Sequence, residues 1–279
     1  MRDLSGANAL VTGAAGGLGR YIARSLAAEG VNLALCDLPA AQIDDLVAEL
    51  EPRVKVEVVA ADLSDADGIE LIHRRATDSL GPIDVLVNNA GLEFSGEFAE
   101  QTVAQLEAIT TVNLLAVMEL TRVALPEMLE RRRGHVVNLA SLAGKLPAPY
   151  LASYSATKHA VVGFTHSLRA ELGDEPVGFT VICPGLISKV GMYGRLEQHV
   201  GDVPRELATL PPERVGDAVV EGIRHNRPEI VVARRAVRPV IGLAAVAPKL
   251  TSRLLRSERN LAFGRRMAEA RRRLDGAAK

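Results

Sequence analysis

Tyr154 and Lys158 stand four residues apart in a stretch, Ser153 to Leu172, whose apolar spacing has the period of a helix. Both side chains therefore leave one face. A phenol with a pKa near ~10 is a poor base at neutral pH, but a neighbouring ammonium favours the phenolate, and each unit of lowering is worth about 1.4 kcal/mol. Ser141, thirteen residues upstream, closes the apolar run HVVNLAS, where its hydroxyl can hydrogen-bond a substrate oxygen. Together the three can move a proton to or from an alcohol or carbonyl oxygen. Alone, a Tyr–Lys pair more often means a half-buried ring and a surface ammonium; Ser141 and the glycine turn described next favour chemistry.

That turn reads Thr12-Gly13-Ala14-Ala15-Gly16-Gly17-Leu18-Gly19 and follows the apolar run ALV near the start of the chain. Glycines there let the backbone bend tightly and approach a pyrophosphate, and the helix that follows offers free N–H groups and the positive end of its dipole. A glycine-rich turn can serve geometry only, but one that leaves a strand and opens a helix reads as a dinucleotide site. Asp37 closes the second apolar run, about 20 residues beyond the glycines, where a carboxylate accepts hydrogen bonds from ribose hydroxyls and repels a 2′-phosphate. Leu38 and Pro39 follow, with no basic side chain to neutralise that phosphate. The expected cofactor is therefore NAD, with NADP as the alternative; the bland reading of Asp37 is a helix cap.

Positioning these groups requires an alternating scaffold. Apolar, β-branched runs (ALVTG, VNLALCD, VKVEVVA, IDVLVNNAG, HVVNLAS, GFTVICPG and EIVVA) alternate with helix-period segments at about 18–29, 40–50, 65–79, 103–131, 153–172 and 213–225. About seven strands with intervening helices predict an α/β fold, a Rossmann-type doubly wound parallel sheet covered on both faces, with ligands beyond the strands' carboxyl ends. Residues 186–212, broken by Gly191, Gly194 and Gly201, read as a covering segment over the site. The expected organisation is one catalytic and cofactor-binding domain over 1–235 and a basic, partly apolar helical extension over 236–279.

The spacing TGxxxGxG, with Gly13, Gly17, Leu18 and Gly19, resembles the short-chain dehydrogenase/reductase family. Further motifs are similar in order: Asp62-Leu63 after the third strand, Asn88-Asn89-Ala90-Gly91 ending the fourth, Asn113 in the long helix, Ser141, the YxxxK of Tyr154 and Lys158, and Pro184-Gly185. The resemblance spans about residues 5 to 233. It implies that Asp62 and Leu63 border the adenine and that Asn89, Ala90, Gly91, Pro184 and Gly185 line the cofactor. It also implies that Lys158 holds the nicotinamide ribose and that Asn113 holds a water linking Lys158 to solvent. Where the family usually has a threonine shortly after PG, this chain has Ser188 and then Lys189, and Ser188 is expected to supply a hydroxyl one position early. The implied function is hydride transfer between NAD(H) and the CH–OH or C=O group of a small molecule. The rival readings are an NADP-dependent carbonyl reductase and a non-catalytic NAD-binding interaction protein. Leu142, Leu146, Leu151, Leu186, Met192 and Tyr193 fall on segments that should flank the pocket and favour a lipophilic alcohol or ketone.

The chain of 279 residues is 48% hydrophobic and 24% charged, the balance of a globular protein rather than a disordered one. Cys36 and Cys183 each sit in a strand-like run and read as two buried thiols. His73, His135, His159, His166, His199 and His225 show no ligand spacing, so no metal is expected. The opening MRDLSGANALVTG has no leader pattern, and a cytoplasmic location is the expectation. Charge is divided unevenly: from Arg234 onward thirteen basic and three acidic residues give +10, against −11 for the remainder. In that segment Leu243, Val246, Leu250, Leu254 and Leu255 recur at helical spacing among Arg253, Arg256 and Arg259, and Pro239 and Pro248 are expected to break it. Self-association as a dimer or tetramer, or pocket covering, is the first expectation for it, and peripheral membrane contact the second. With aromatics at 3% and no nucleic-acid motif, no nucleic-acid partner is expected.

Overall fold

The computed structural model describes residues 1–201, 203–204 and 207–277. Lys279, counted above in the basic extension, lies outside the described residues.

Seven parallel strands form one sheet: β1 (Asn8–Thr12), β2 (Asn32–Asp37), β3 (Val56–Ala60), β4 (Val85–Asn88), β5 (Gly134–Leu139), β6 (Val177–Pro184) and β7 (Glu229–Val232). Their order is β3-β2-β1-β4-β5-β6-β7, so the winding reverses between β1 and β4, where a crevice opens beyond the strand ends. Alternation along each strand divides the core. Ala9 and Val11 of β1, with Leu33 and Leu35 of β2, face α1 (Gly17–Ala28) and α9 (Glu213–His225), whereas Leu10, Ala34 and Cys36 face the opposite layer. That opposite layer holds α3 (Ala66–Leu80) and α5 (Ala116–Glu130), which pack Ile69, Ile72, Leu120, Ala124 and Met128 on the sheet. The remaining helices of the core are α2 (Asp44–Leu50), α4 (Val103–Thr110) and α6 (Ala152–Glu171). Burial pushes the thiols of both Cys36 and Cys183 up to about 12, which makes them inert apolar fillers of the core.

The helix expected from Val103 to Arg131 is continuous to Glu130, but a π-helical turn, Thr111–Leu115, joins α4 to α5 and contains Asn113. By length and composition this helix could cross a membrane; here Ile109, Ala116, Leu120, Ala124 and Met128 lie in the protein core.

The covering segment contains two short helical turns, α7 (Gly191–Gly194) and α8 (Glu197–Val200). The extension forms α10 (Val237–Val246), α11 (Pro248–Leu255) and α12 (Glu258–Ala277). Pro239 does not break the first of these. It sits in the opening turn of α10, where the N–H it lacks would have no intrahelical partner, and Pro248 is the first residue of α11. The extension folds back on the domain: Phe263, Met267 and Ala270 of α12 share an apolar cluster with Tyr193, Leu196 and Val200. Arg266 Nε donates to the Val200 carbonyl at 2.8 Å, and Arg265 Nε donates to the Tyr150 hydroxyl at 3.0 Å.

Candidate active site

A continuous cavity of about 710 Å³ runs along the carboxyl edge of the sheet. Its wall runs from Gly13, Gly17, Leu18, Asp37, Asp62 and Leu63, past Asn89, Ala90 and Gly91, to Ser141, Tyr154, Lys158, Pro184 and Gly185.

The glycine turn is shaped by sterics. Gly13 has φ +64°, and a Cβ there would lie 2.8 Å from Ala90 Cα, so the β1 turn and the β4 end can meet only without a side chain. Thr12 and Asn89 stitch them together. Thr12 Oγ1 accepts from the backbone N–H groups of Asn89 at 3.0 Å and Ala90 at 3.1 Å, while Asn89 Nδ2 donates to the carbonyls of Thr12 and Gly13 at 2.9 and 3.0 Å. Gly19 is not on the cavity wall. Its missing Cβ would sit 2.0 Å from the Gly13 carbonyl oxygen, so it permits the turn to pack on its own helix. Asp37 accepts from the N–H groups of Ala15 and Leu38, both at 2.8 Å, which fixes its carboxylate at the rim. Arg20, beside the same turn, is held by the Asp45 carboxylate and the carbonyls of Ala15 and Gln42. The residues present suit a dinucleotide: a glycine floor open to the cavity, a fixed carboxylate at its rim and an ammonium further along it.

Further along the wall Tyr154 and Lys158, one turn apart on α6, are 8% and 3% exposed. Lys158 Nζ donates to the Leu139 carbonyl at 2.8 Å and lies 5.8 Å from the centre of the Tyr154 ring. Loss of hydration lowers the Lys158 ammonium to about 8. The same burial holds the Tyr154 hydroxyl above the ordinary phenol value; the Glu93 carboxylate adds to the rise and the hydrogen bond with Ser141 opposes it. The lowering of the phenol by Lys158 expected from spacing is therefore not what this arrangement gives. Desolvation outweighs an ammonium that is itself weakened by burial. Ser141 follows β5, accepts from the Ala143 N–H at 3.2 Å and donates to the Pro184 carbonyl at 3.5 Å.

Asn113 and Ser188 do not line the cavity. Asn113 is fully buried behind the wall, pinning the segment after β4 to the π-turn and α6. Its Oδ1 accepts from the Leu92 N–H at 2.7 Å, and its Nδ2 donates to the Leu92 carbonyl at 2.9 Å and to Thr157 Oγ1 at 3.2 Å. Ser188 does not border the cavity, and its hydroxyl donates to the Leu210 carbonyl at 3.3 Å.

The cavity wall includes Leu142, Leu146, Leu151, Leu186, Met192 and Tyr193, together with residues that spacing did not single out. Phe263 and Met267 reach it from α12, because the extension folds back over the covering segment. Glu93 is 8% exposed, and burial raises its carboxyl, with Arg271, Ser95 and Arg195 opposing. Its signal was present: a lone acid inside the apolar stretch Gly91-Leu92-Glu93-Phe94 must be paired, protonated or functional once buried.

A doubly wound sheet with a glycine turn at its switch point and a Ser–Tyr–Lys group beyond β5 is the design of a nicotinamide-dependent oxidoreductase. The chain belongs to the short chain dehydrogenase family, whose profile matches residues 7–200, and that family binds nicotinamide cofactors. It is 34% identical over 277 residues to the ketoacyl reductase HetN of Nostoc sp., covering 97% of this chain and 96% of the relative. It is 31% identical over 265 residues to dehydrogenase/reductase SDR family member 7B of Xenopus laevis, covering 88% and 80%. Its structure resembles a short chain dehydrogenase/reductase from Burkholderia phymatum solved in complex with NAD, with a TM-score of 0.79 and 26% identity over 90% of this chain and 96% of the other.

Proposed function

We propose that the chain is an NAD(H)-dependent dehydrogenase or carbonyl reductase acting on a lipophilic alcohol or ketone, with Ser141, Tyr154 and Lys158 as its catalytic residues. The observation that carries this reading is the shared cavity: the three side chains line it together with the glycine turn and Asp37. A nicotinamide dinucleotide bound along it supplies or accepts the hydride. Ser141 hydrogen-bonds the reacting oxygen and holds it towards Tyr154. In reduction Tyr154 Oη gives its proton to the developing alkoxide; in oxidation it takes the proton from the alcohol. Burial keeps the phenol protonated, so Tyr154 is poised as a donor. Accepting a proton requires a positive charge close enough to offset desolvation, which Lys158 supplies in part. Asn113, through Leu92, sets the position of the loop that passes Lys158: a Cβ on Gly91 would lie 3.2 Å from Asn113 Oδ1 and 3.5 Å from Lys158 Nζ.

Asp37 supports NAD over NADP, since a 2′-phosphate would meet a fixed carboxylate while Arg20 is engaged by Asp45. The apolar wall supports a lipophilic substrate, and the ketoacyl reductase activity named for the Nostoc relative is consistent with one. Self-association is part of the proposal: Val103, Leu115 and Met118 are exposed along α4, the π-turn and α5, and light scattering reads the mass state. So is a cytoplasmic location, which fractionation of the native host tests. The deciding experiment follows hydride transfer with NAD(H) and NADP(H) across aliphatic secondary alcohols and ketones. Turnover with NAD is expected, and Tyr154→Phe should lower it by at least about a hundredfold with dinucleotide affinity nearly unchanged. Activity of the variant within tenfold of wild type sinks the assignment of the proton donor.

A further inference from the structure

The helical pair α10–α11 has two apolar faces, and among the described residues only one is covered. Val237, Val240, Ile241 and Ala244, with Leu255 of α11, pack against Leu142 and Leu146 of the cavity wall. On the outer side Val246 is 81% exposed, Leu250 47% and Leu254 54%. Leu250 and Leu254 are one turn apart on α11, and Val246 lies at the end of α10 just before it. Scattered exposed leucines are ordinary, but a run of them on successive turns is a patch.

The charge around the patch has one sign. Between Glu229 and Glu258 the chain has six basic residues, Arg234, Arg235, Arg238, Lys249, Arg253 and Arg256, and no acid. All six are exposed, and among the described residues none of them forms an ion pair. The chain before Arg234 carries −11, so this end of the molecule is a cationic pole on an otherwise acidic body.

We propose that the outer face of α10–α11 docks on an anionic phospholipid surface, with Val246, Leu250 and Leu254 entering the headgroup boundary and the basic side chains meeting lipid phosphates and carboxylates. Apolar side chains flanked by arginine and lysine on a short helix match such an interface at both levels. A second copy of the chain is a poorer occupant, because a two-fold contact would set the same cations against one another. The docked face adjoins the cavity, since Leu255 of the same helical pair forms part of the cavity wall. The docking does not depend on which compound the enzyme turns over.

The test uses the full chain in flotation with vesicles of phosphatidylcholine alone and of phosphatidylcholine mixed with phosphatidylglycerol. Binding to the mixed vesicles, weak binding to the neutral ones and release at high salt are expected. Each basic side chain near the surface strengthens partitioning on the order of fivefold, so Lys249→Glu, Arg253→Glu and Arg256→Glu together should weaken it by more than about a hundredfold. Val246→Ser, Leu250→Ser and Leu254→Ser together should weaken it by about tenfold or more. These side chains are exposed, and unchanged circular dichroism and melting temperature verify that the variants are folded. Equal binding to both vesicle types, binding to neither, or binding unaffected by either set of substitutions overturns the proposal. So does a wild-type oligomer that the serine substitutions dissociate without vesicle binding, which would assign the face to another copy.

Discussion

Replacing Lys158 with methionine should make the protein more stable at neutral pH while removing its activity. Lys158 is 3% exposed, and burial lowers its ammonium from 10.5 to about 8. Holding it charged in the folded state therefore costs about 3 kcal/mol. Methionine has similar reach and no charge, but it leaves the Leu139 carbonyl without its 2.8 Å donor, a loss of about 1–3 kcal/mol. The balance is a gain of up to about 2 kcal/mol at pH 7, or up to roughly 6 °C in melting temperature for a chain of this size. The pH dependence has a definite sign. Below pH 8 Lys158 is charged folded and unfolded, and the whole penalty is present. Between about 8 and 10.5 the unfolded chain keeps a proton that the folded one has released, so wild-type stability rises with pH. The advantage of the variant should vanish and then reverse, since neutral Lys158 still donates to Leu139 and methionine does not. Paired urea or thermal unfolding of the two proteins at pH 7 and pH 10 reads the crossover. A variant less stable than wild type at pH 7, or a difference that does not change with pH, would refute the assignment of Lys158 as a charge held at a cost for function.

Asp37→Ser combined with Leu38→Arg should move the NADP/NAD preference by about 2–4 kcal/mol, because it removes one like charge a few ångströms from the 2′-phosphate position and adds an opposite one; a direct binding titration measures it. His135, buried against Thr180 Oγ1 at 2.8 Å and lowered by desolvation to about 3, stays neutral in the folded state. Below pH 6.5 the unfolded chain takes up a proton that the folded one refuses, so stability should fall by about 1.4 kcal/mol per pH unit from this group, and His135→Gln should flatten that slope in acid unfolding curves. Deleting residues 236–279 uncovers Leu142, Leu146, Tyr193 and Leu196, and should lower the melting temperature and raise dye binding to exposed apolar surface.

Features fixed by short-range pattern are legible in the sequence. Seven apolar runs became seven strands, and the glycine turn, Asp37, Ser141, Tyr154 and Lys158 fall along one cavity because a parallel sheet brings the ends of β1, β2, β4 and β5 to the same edge. What depends on burial is not. The raised phenol of Tyr154 reflects the desolvation of a site closed by distant segments, which no spacing of tyrosine and lysine encodes. Asn113 could be placed in its helix, but not the π-turn that aims it at Leu92. Pro239 reads as a break in the sequence because position within a helix decides what proline does, and spacing alone does not give that position. Glu93, Phe263 and Met267 needed the tertiary fold to meet across the cavity.

The order in which these parts leave the ribosome also matters. The seventh strand ends at Val232, and Phe263 and Met267 follow 31 and 35 residues later. At about 5–20 residues per second the stretch to Met267 takes roughly 2–7 s to make, and domains tend to form as they emerge. The sheet and its glycine turn are complete in sequence before Phe263 and Met267 exist. The nascent chain can thus assemble the glycine-turn side of the cavity first, and acquires the wall formed by Phe263 and Met267 only with α12.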